Sequence, residues 1–390
     1  FVTAAALKNA ATAVVASGVT DEAAVMRCAA LGPDLILHCG GISLADQCER
    51  DPTLAWDVHV GGTRNVGFFL ANAMHDAGHR VAILNRGITR DELPAPIERL
   101  RADRTDAAAL KRALAGRSFD AVVDATLYNA DEANAIVDLL HKKTGHYLFI
   151  SSGQVYLVRE GIVRPFHERD YEGRLLSPPK PDTYAYEEWL YGMNKRNAED
   201  VFLKAAKERN FPVTTLRLPM VNGERDHFFR LYNYVLRLQD GGPILVPTTP
   251  NYALRHIYSD DVVRAIMRIL DKGGGKGKAY NISQDESLSL EEFLGMLGGI
   301  LGVEPQIVRV NRDLLEANGF LPDCSPFSER WMSELDNTLS KTELGIQYTP
   351  LAVYLERIVR HYRTNRTPRP AGYRRRRSEI KLVETLAAEG

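Results

Sequence analysis

Between Val58 and about Lys204 the chain alternates short β-branched and aliphatic runs with stretches of helical periodicity. Five runs stand out, at 58–60, 81–84, 121–125, 147–151 and 213–218, with helices of ordinary connecting length between them. Apolar runs spaced in this way belong to βαβ units, so the pattern predicts an α/β fold whose doubly wound parallel sheet is covered on both faces. Beyond Pro219 the alternation loosens into stretches rich in Gly, Pro and Asn, with helices expected over 261–270 and 290–301. That part reads as a smaller C-terminal lobe, 219–363, set against a sheet domain at 57–218. Residues 364–390, with Tyr373 followed by Arg374, Arg375, Arg376 and Arg377, read as a solvated polar tail, with a phosphate or subunit contact as the other reading.

Composition narrows the function classes. The chain has 390 residues, 45% hydrophobic and 25% charged, enough to bury a large core. A formal charge of −1 argues against global attraction to nucleic acid or to an anionic membrane, so nucleic acid is not an expected partner, though a local patch stays open. Cys28, Cys39, Cys48 and Cys324 show no metal-ligand or redox spacing, so no metal is expected and a reducing, cytoplasmic setting fits. No run of about eighteen apolar residues is available to span a bilayer. The chain opens on Phe1 without a leader pattern, as a truncated or processed start would.

Candidate chemistry begins at Gly61-Gly62-Thr63-Arg64-Asn65-Val66-Gly67, between a short strand and an apolar helix expected over 66–74. Glycines permit a tight turn and close backbone approach, and a helix start offers unpaired N–H groups and a positive dipole end to a pyrophosphate. The context predicts a Rossmann-type dinucleotide site with Gly61, Gly62, Thr63, Arg64 and Gly67 at the phosphates. The second strand ends Leu84-Asn85-Arg86-Gly87, without the carboxylate that commonly bonds the ribose of NAD. Arg64 and Arg86 could then hold a 2′-phosphate bidentately, which favours NADP(H) and leaves NAD(H) open. Asn85 and Ala125 complete the expected cofactor wall.

Farther on, the strand 147–151 delivers Ser152 to the sheet's C-terminal edge, where ligands bind in open α/β sheets. Tyr191 and Lys195, four apart, share one face of a helix. An ammonium beside a phenol favours the phenolate, so Tyr191 could exchange a proton with a substrate oxygen while Ser152 bonds that oxygen. Such a set serves hydride transfer at a secondary alcohol or ketone.

With these residues in view, the stretch from Gly61 to about Tyr362 resembles an extended short-chain dehydrogenase/reductase of the NAD-dependent epimerase/dehydratase family. Its first turn is similar to the GGTRF-type turn of atypical members, with Asn65 at the aromatic position. Leu216-Arg217-Leu218-Pro219, Arg255-His256-Ile257-Tyr258 and Ala279-Tyr280-Asn281-Ile282 carry the likeness onward. The resemblance implies that Arg217 and Arg255 face substrate, that Asp103 contacts the adenine, that Pro219 passes the nicotinamide and that Lys195 bonds its ribose. It also implies a nucleotide sugar or similar polar metabolite as substrate, and a homodimer. The Asp-Glu pair that 4,6-dehydratases place after the catalytic hydroxyl is replaced by Gly153-Gln154, which disfavours dehydration and leaves reduction and epimerisation. Some relatives with the GGTRF-type turn bind RNA, a function that needs no proton relay, and a catalytically inactive member of the fold is a further alternative. Residues 1–56 resemble a fragment of a dTDP-4-dehydrorhamnose reductase-like relative, read either as a fusion remnant or as an added α/β unit.

Overall fold

The structure is a computed structural model that describes residues 65–88, 91–249 and 251–389. The strand expected at 58–60, the turn residues Gly61, Gly62, Thr63 and Arg64, and the segment 1–56 lie outside the described residues.

The described chain opens with helix α1 (Val66–Asp76), then β1 (Ala82–Asn85), β2 (Glu98–Arg101), α2 (Ala107–Leu114), β3 (Phe119–Asp124) and α3 (Ala130–Leu140). Next come β4 (Thr144–Ser152), a short α4 (Gln154–Leu157), the long α5 (Tyr184–Arg209) and β5 (Val213–Leu218). The remainder comprises β6 (Val221–Asn222), α6 (Arg230–Gln239), β7 (Ile244–Pro247), β8 (Ile257–Tyr258), α7 (Ser259–Lys272) and β9 (Ala279–Asn281). The last elements are α8 (Leu290–Leu301), β10 (Ile307–Val310), α9 (Arg312–Ala317), α10 (Leu351–Thr364) and α11 (Arg376–Glu389).

Every ladder between these strands is parallel. β3-β4-β5-β9 form one sheet, β1 pairs β2, β6 pairs β8, and β7 pairs β10. Alternation along β4 explains how the central sheet is covered on both sides. Tyr147 and Phe149 pack with α3 and α5 residues such as Ile136 and Phe202, whereas Leu148 and Ile150 pack with α1 and α7 residues such as Leu70 and Ile266. All four are buried because a parallel strand has no solvent face. The C-terminal lobe has its own core, in which Tyr234, Phe293, Leu294, Tyr354 and Ile358 come from α6, α8 and α10.

Local chemistry sets the helix ends. Thr183 caps α5 through Tyr186 N, and Asn210 ends it in the left-handed region at φ 52°. Ser289 and Glu292 form a reciprocal capping box at α8, which stops at Gly302. Gly273, at φ 62°, ends α7 in a conformation that costs other residues strain.

β9 returns from beyond Pro219 to pair with β5, and α7 packs on the sheet, so the later sequence also contributes to the sheet domain beside building the lobe. Residues 364–390, expected as a solvated tail, are docked. Leu382, Val383 and Leu386 of α11 pack against Leu245, Val310, Leu315 and Phe320, and Glu379, fully buried, pairs with the fully buried Arg237 at 2.5 Å. The apolar spacing on α11 outweighs the arginines that precede it.

Candidate active site

β4 carries Ser152 to the C-terminal edge of the sheet, and the first half of α5 runs past the same edge. Ser152 and Tyr191 meet there, their hydroxyls near enough to interact. The Tyr191 ring packs 5.4 Å from that of Tyr128, which follows β3. Lys195 lies one turn further along α5 and is buried. Its ammonium donates to the carbonyls of Leu127 at 2.7 Å and Ile150 at 3.2 Å, and it stands 5.0 Å above the Phe149 ring. Ser152 and Tyr191 are therefore brought together, while the Lys195 ammonium, on the same helix, is spent on the carbonyls of Leu127 and Ile150.

Their electrostatics differ from expectation. Burial, with the nearby Glu188 carboxyl adding to it, pushes the Tyr191 phenol up to about 12 against the opposing pull of the Ser152 hydroxyl. Lys195 is committed to backbone carbonyls, and burial brings it down to about 8, with the Asp124 carboxylate resisting the fall. Asp124, at the end of β3, is held well below the usual carboxylate range despite its burial, because the Arg104 guanidinium lies 2.5 Å away. Phenol and ammonium are thus both in their protonated forms at neutral pH.

A second group of ionisable residues lies beside Tyr191 and was not foreseen. Gln154 Nε2 donates to Glu188 Oε2 at 2.6 Å. The Tyr184 hydroxyl donates to Glu329 Oε2 at 2.9 Å and also bonds Glu188. Burial pushes Glu188 up to about 8 and Glu329 up to about 7, and the charge of Glu329 adds to the shift at Glu188. Glu188, three residues before Tyr191 on a helix, could have been placed on that face from spacing alone. Glu329 could not, since it arrives from a distant loop.

Around the edge of the sheet, Gly67, Asn85, Arg86, Asp103 and Ala125 line one cavity together with Tyr128 and Asn194. Gly67 sits in the first turn of α1. Arg86 Nη1 is 3.6 Å from Asp103 Oδ2, so a carboxylate does reach the end of β1, supplied from beyond β2. Asp103 also accepts from the Thr105 backbone at 2.9 Å. Arg101, which sequence reasoning passed over, donates to Asn85 Oδ1 and lies over Gly87, where a Cβ would come within 2.7 Å of its Nε. Two arginines therefore stand at the end of β1. Pro219 follows β5 and is buried.

The substrate-facing expectation divides. Arg217 is 2% exposed and does not reach the cleft: it donates to both oxygens of Glu199, the closest contact being 2.6 Å, and to the Tyr156 hydroxyl at 2.7 Å. On the central strand β5, flanked on both sides, its guanidinium can satisfy its charge only inward. Arg255 is half-buried, bonding Gln284 O at 3.0 Å and Asn337 Oδ1 at 3.1 Å.

A polar group could also be held beside the start of α1. Asn65 Oδ1 and Ser259 Oγ, at the starts of α1 and α7, are buried without a hydrogen-bond partner among the described residues. Both press on Gly223, where a Cβ would lie 2.9 Å and 2.5 Å from them. Polar atoms left unsatisfied beside a helix start fit a polar ligand group there.

Residues 60–283 match the NAD dependent epimerase/dehydratase family. This chain belongs to that family. Members bind NAD(P), and the chain shares their Rossmann-type architecture. A dTDP-glucose 4,6-dehydratase from Bacillus anthracis, solved with NAD, aligns over 78% of this chain and 95% of its own, with TM-score 0.61 and 16% identity. A UDP-galactose 4-epimerase aligns over 78% and 97%, with TM-score 0.57 and 16% identity. By sequence the family member is 26% identical over 268 residues to the chloroplast stem-loop binding protein of 41 kDa b of Arabidopsis thaliana. That match spans 65% of either chain, so just under two thirds of the relative's length is represented. No helix among the described residues is long and apolar enough to cross a membrane.

Proposed function

We propose that the chain is an NADP(H)-dependent oxidoreductase or epimerase acting at a secondary alcohol or ketone of a nucleotide sugar or similar polar metabolite. The observation that carries this reading is the pairing of the Ser152 and Tyr191 hydroxyls at the sheet edge, with Lys195 buried one turn farther along the same helix. A substrate carbonyl oxygen that reached both hydroxyls would accept a hydrogen bond from Ser152 and a proton from Tyr191. Burial keeps the Tyr191 phenol protonated, the form that gives a proton to a carbonyl oxygen. Lys195 would stabilise the phenolate left behind. A bound nicotinamide would supply or accept the hydride. Gly67, Asn85, Asp103 and Ala125 would hold the dinucleotide, together with Gly61, Gly62, Thr63 and Arg64, and Arg86 with Arg101 would meet a 2′-phosphate. Arg255, unlike Arg217, has the exposure to contact substrate.

Solved relatives named as epimerases and dehydratases of UDP- and dTDP-sugars support the substrate class. The Arabidopsis relative's name describes stem-loop binding. Carried to this chain, that function would need a basic surface and no part of the proton relay. The test is to titrate the full chain with NADPH and NADH by nicotinamide fluorescence, then offer UDP- and dTDP-4-keto sugars and follow loss of nicotinamide absorbance. NADPH binding with turnover that Tyr191→Phe abolishes is expected. Failure to bind either dinucleotide would end the reading.

A further inference from the structure

Reduction of a ketone uses up a proton as well as a hydride, so the phenol that gives the proton must be recharged before the next turnover. At Tyr191 that recharging needs a path. Burial pushes its phenol up to about 12, so the phenolate that one turnover leaves behind is costly to keep. Lys195, on the same helix, is buried and spends its ammonium on the carbonyls of Leu127 and Ile150, groups that accept a hydrogen bond but have no proton to pass on.

The carboxyl cluster beside Tyr191 offers such a path. Tyr184, Glu188 and Tyr191 stand at i, i+4 and i+7 along α5, which puts them on one face of the helix. Gln154 fixes the inner end: its Nε2 donates to Glu188 Oε2 at 2.6 Å and its backbone N–H donates to Ser152 Oγ at 3.2 Å, so the carboxyl and the Ser152 hydroxyl are tied to one residue. At the outer end the Tyr184 hydroxyl donates to Glu329 Oε2 at 2.9 Å. A phenol has a single hydrogen. With that hydrogen given to Glu329, Glu188 can bond the same oxygen only by donating a carboxyl proton of its own, which makes Glu188 the protonated member and Glu329 the ionised one. Tyr184 is 44% exposed and Glu329 is half-buried, so the outer end meets solvent.

We infer that Tyr191 is recharged from solvent through the row Glu329, Tyr184 and Glu188, with Glu188 handing over the proton. The inference rests on the hydride-transfer reading. In the first transfer the Glu188 O–H bond breaks and the Tyr191 O–H bond forms, leaving a Glu188 carboxylate. Tyr184 then gives its hydrogen to that carboxylate and takes one from Glu329, which has taken one from water. The balance is one proton from solvent for each hydride delivered by the reduced nicotinamide. Glu188 and Tyr191 are helix neighbours whose charges act on each other, and their transfer is downhill, from a carboxyl pushed up to about 8 to a phenol pushed up to about 12. The outer transfers run between groups already in contact. Other charges face the row from three elements: Glu187 of α5 acts on Glu188, while Arg230 of α6 and Arg312 and Glu316 of α9 act on Glu329. The two arginines favour the ionised form of Glu329, in keeping with the hydrogen count. Glu188 acts through Tyr191 and so is a relay residue, not a catalytic one.

The test uses the full chain with NADPH and the UDP- or dTDP-4-keto sugar that the parent reduces, in rapid mixing that separates the first turnover from later ones. In Glu188→Gln, which is isosteric and keeps an acceptor for Gln154, the first equivalent of NADPH should be consumed and later turnovers should slow at least about tenfold. Added imidazole, a small diffusible acid, should restore the later turnovers and should do nothing for Tyr191→Phe. Tyr184→Phe, at an exposed position, should show the same slowing and the same rescue, which separates the relay from a folding defect in the first variant. Equal slowing of every turnover without rescue, or parent-like steady states in both variants, would overturn the relay and leave the hydride-transfer reading in place. A readout that needs no turnover is NMR of the chain labelled at its glutamate carboxyls. Glu188 and Glu329 should titrate together in the parent and independently in Tyr184→Phe, and Tyr191→Phe should shift the Glu188 titration. That coupling in a parent that consumes no NADPH would uphold the proton row and remove the enzymatic reading alone. Independent titration of the two carboxyls in the parent would overturn the row.

Discussion

Gln154 holds Glu188 by a 2.6 Å hydrogen bond, so a carboxyl group from α5 lies beside Tyr191 although the two residues after Ser152 carry no acid. The Tyr184 hydroxyl joins Glu188 to Glu329, and burial raises both carboxyls, to about 8 and about 7. The pair therefore titrates near neutrality as one unit rather than as two independent acids.

This raises a prediction about stability and pH. Both groups have folded-state values above the ordinary 4.5, so between about pH 5 and 8 the unfolded chain gives up protons that the folded chain keeps. Stability should fall as pH rises through that window and level off above it. Glu188→Gln/Glu329→Gln removes the groups, so its melting temperature should gain on the parent steadily from pH 5 to 8. Parallel melting curves for the two proteins over this range would show that the pair is ordinary.

Tyr191→Phe keeps the ring against Tyr128 but removes the hydroxyl beside Ser152. Turnover should drop by about 10²–10⁴, the usual worth of a placed acid, with NADPH affinity unchanged. Loss of dinucleotide binding in step with turnover would point to a structural role instead.

At the end of β1, Arg101 bonds Asn85, the neighbour of Arg86, and Asp103 partly neutralises Arg86. Arg86→Ala/Arg101→Ala should weaken NADPH binding about tenfold or more while leaving NADH nearly unaffected, because charge-assisted bonds to phosphate are among the stronger polar contacts. Equal losses for the two dinucleotides would place these arginines elsewhere in function.

How far the chain could be read in advance depended on the range of the interactions. β5 and α8 follow the sequence-based limits because a β-branched run ending before Pro219 and a Ser289/Glu292 capping box mark them locally. Ser152, Tyr191 and Lys195 were legible as a set because strand end and helix spacing fix their sides of the sheet. The Arg217 pairing was not, since Glu199 looks like one more polar residue on α5 until the helix is laid against β5. In α11 the run of arginines hid Leu382, Val383 and Leu386, whose partners lie far back at Leu245 and Val310.

Arg217 gives the next prediction. Arg217→Met would leave Glu199 as an uncompensated buried charge, a loss of about 3–5 kcal/mol that urea unfolding would read. Arg217→Met/Glu199→Leu should recover much of that stability, because no lone charge remains. A large loss of activity at unchanged stability in the single variant would instead return Arg217 to the substrate.

The buried Arg237–Glu379 pair ties the last helix to α6. Among the described residues Glu379 is the only carboxylate that Arg237 meets, the rest of its bonds going to carbonyl groups of Asn233, Asp323 and Gly372. Glu379→Ala should therefore strand a charge in a fully buried position and cost about 3–5 kcal/mol. The damage should start at the C-terminus, because Leu382, Val383 and Leu386 depend on α11 staying docked against β7 and β10. Hydrogen exchange would test this directly. Amides of α11, β7 and β10 should lose protection first in Glu379→Ala, while β4 and β5 keep theirs. Uniform loss over the sheet would mean that α11 is part of the global folding unit rather than a separately released cover.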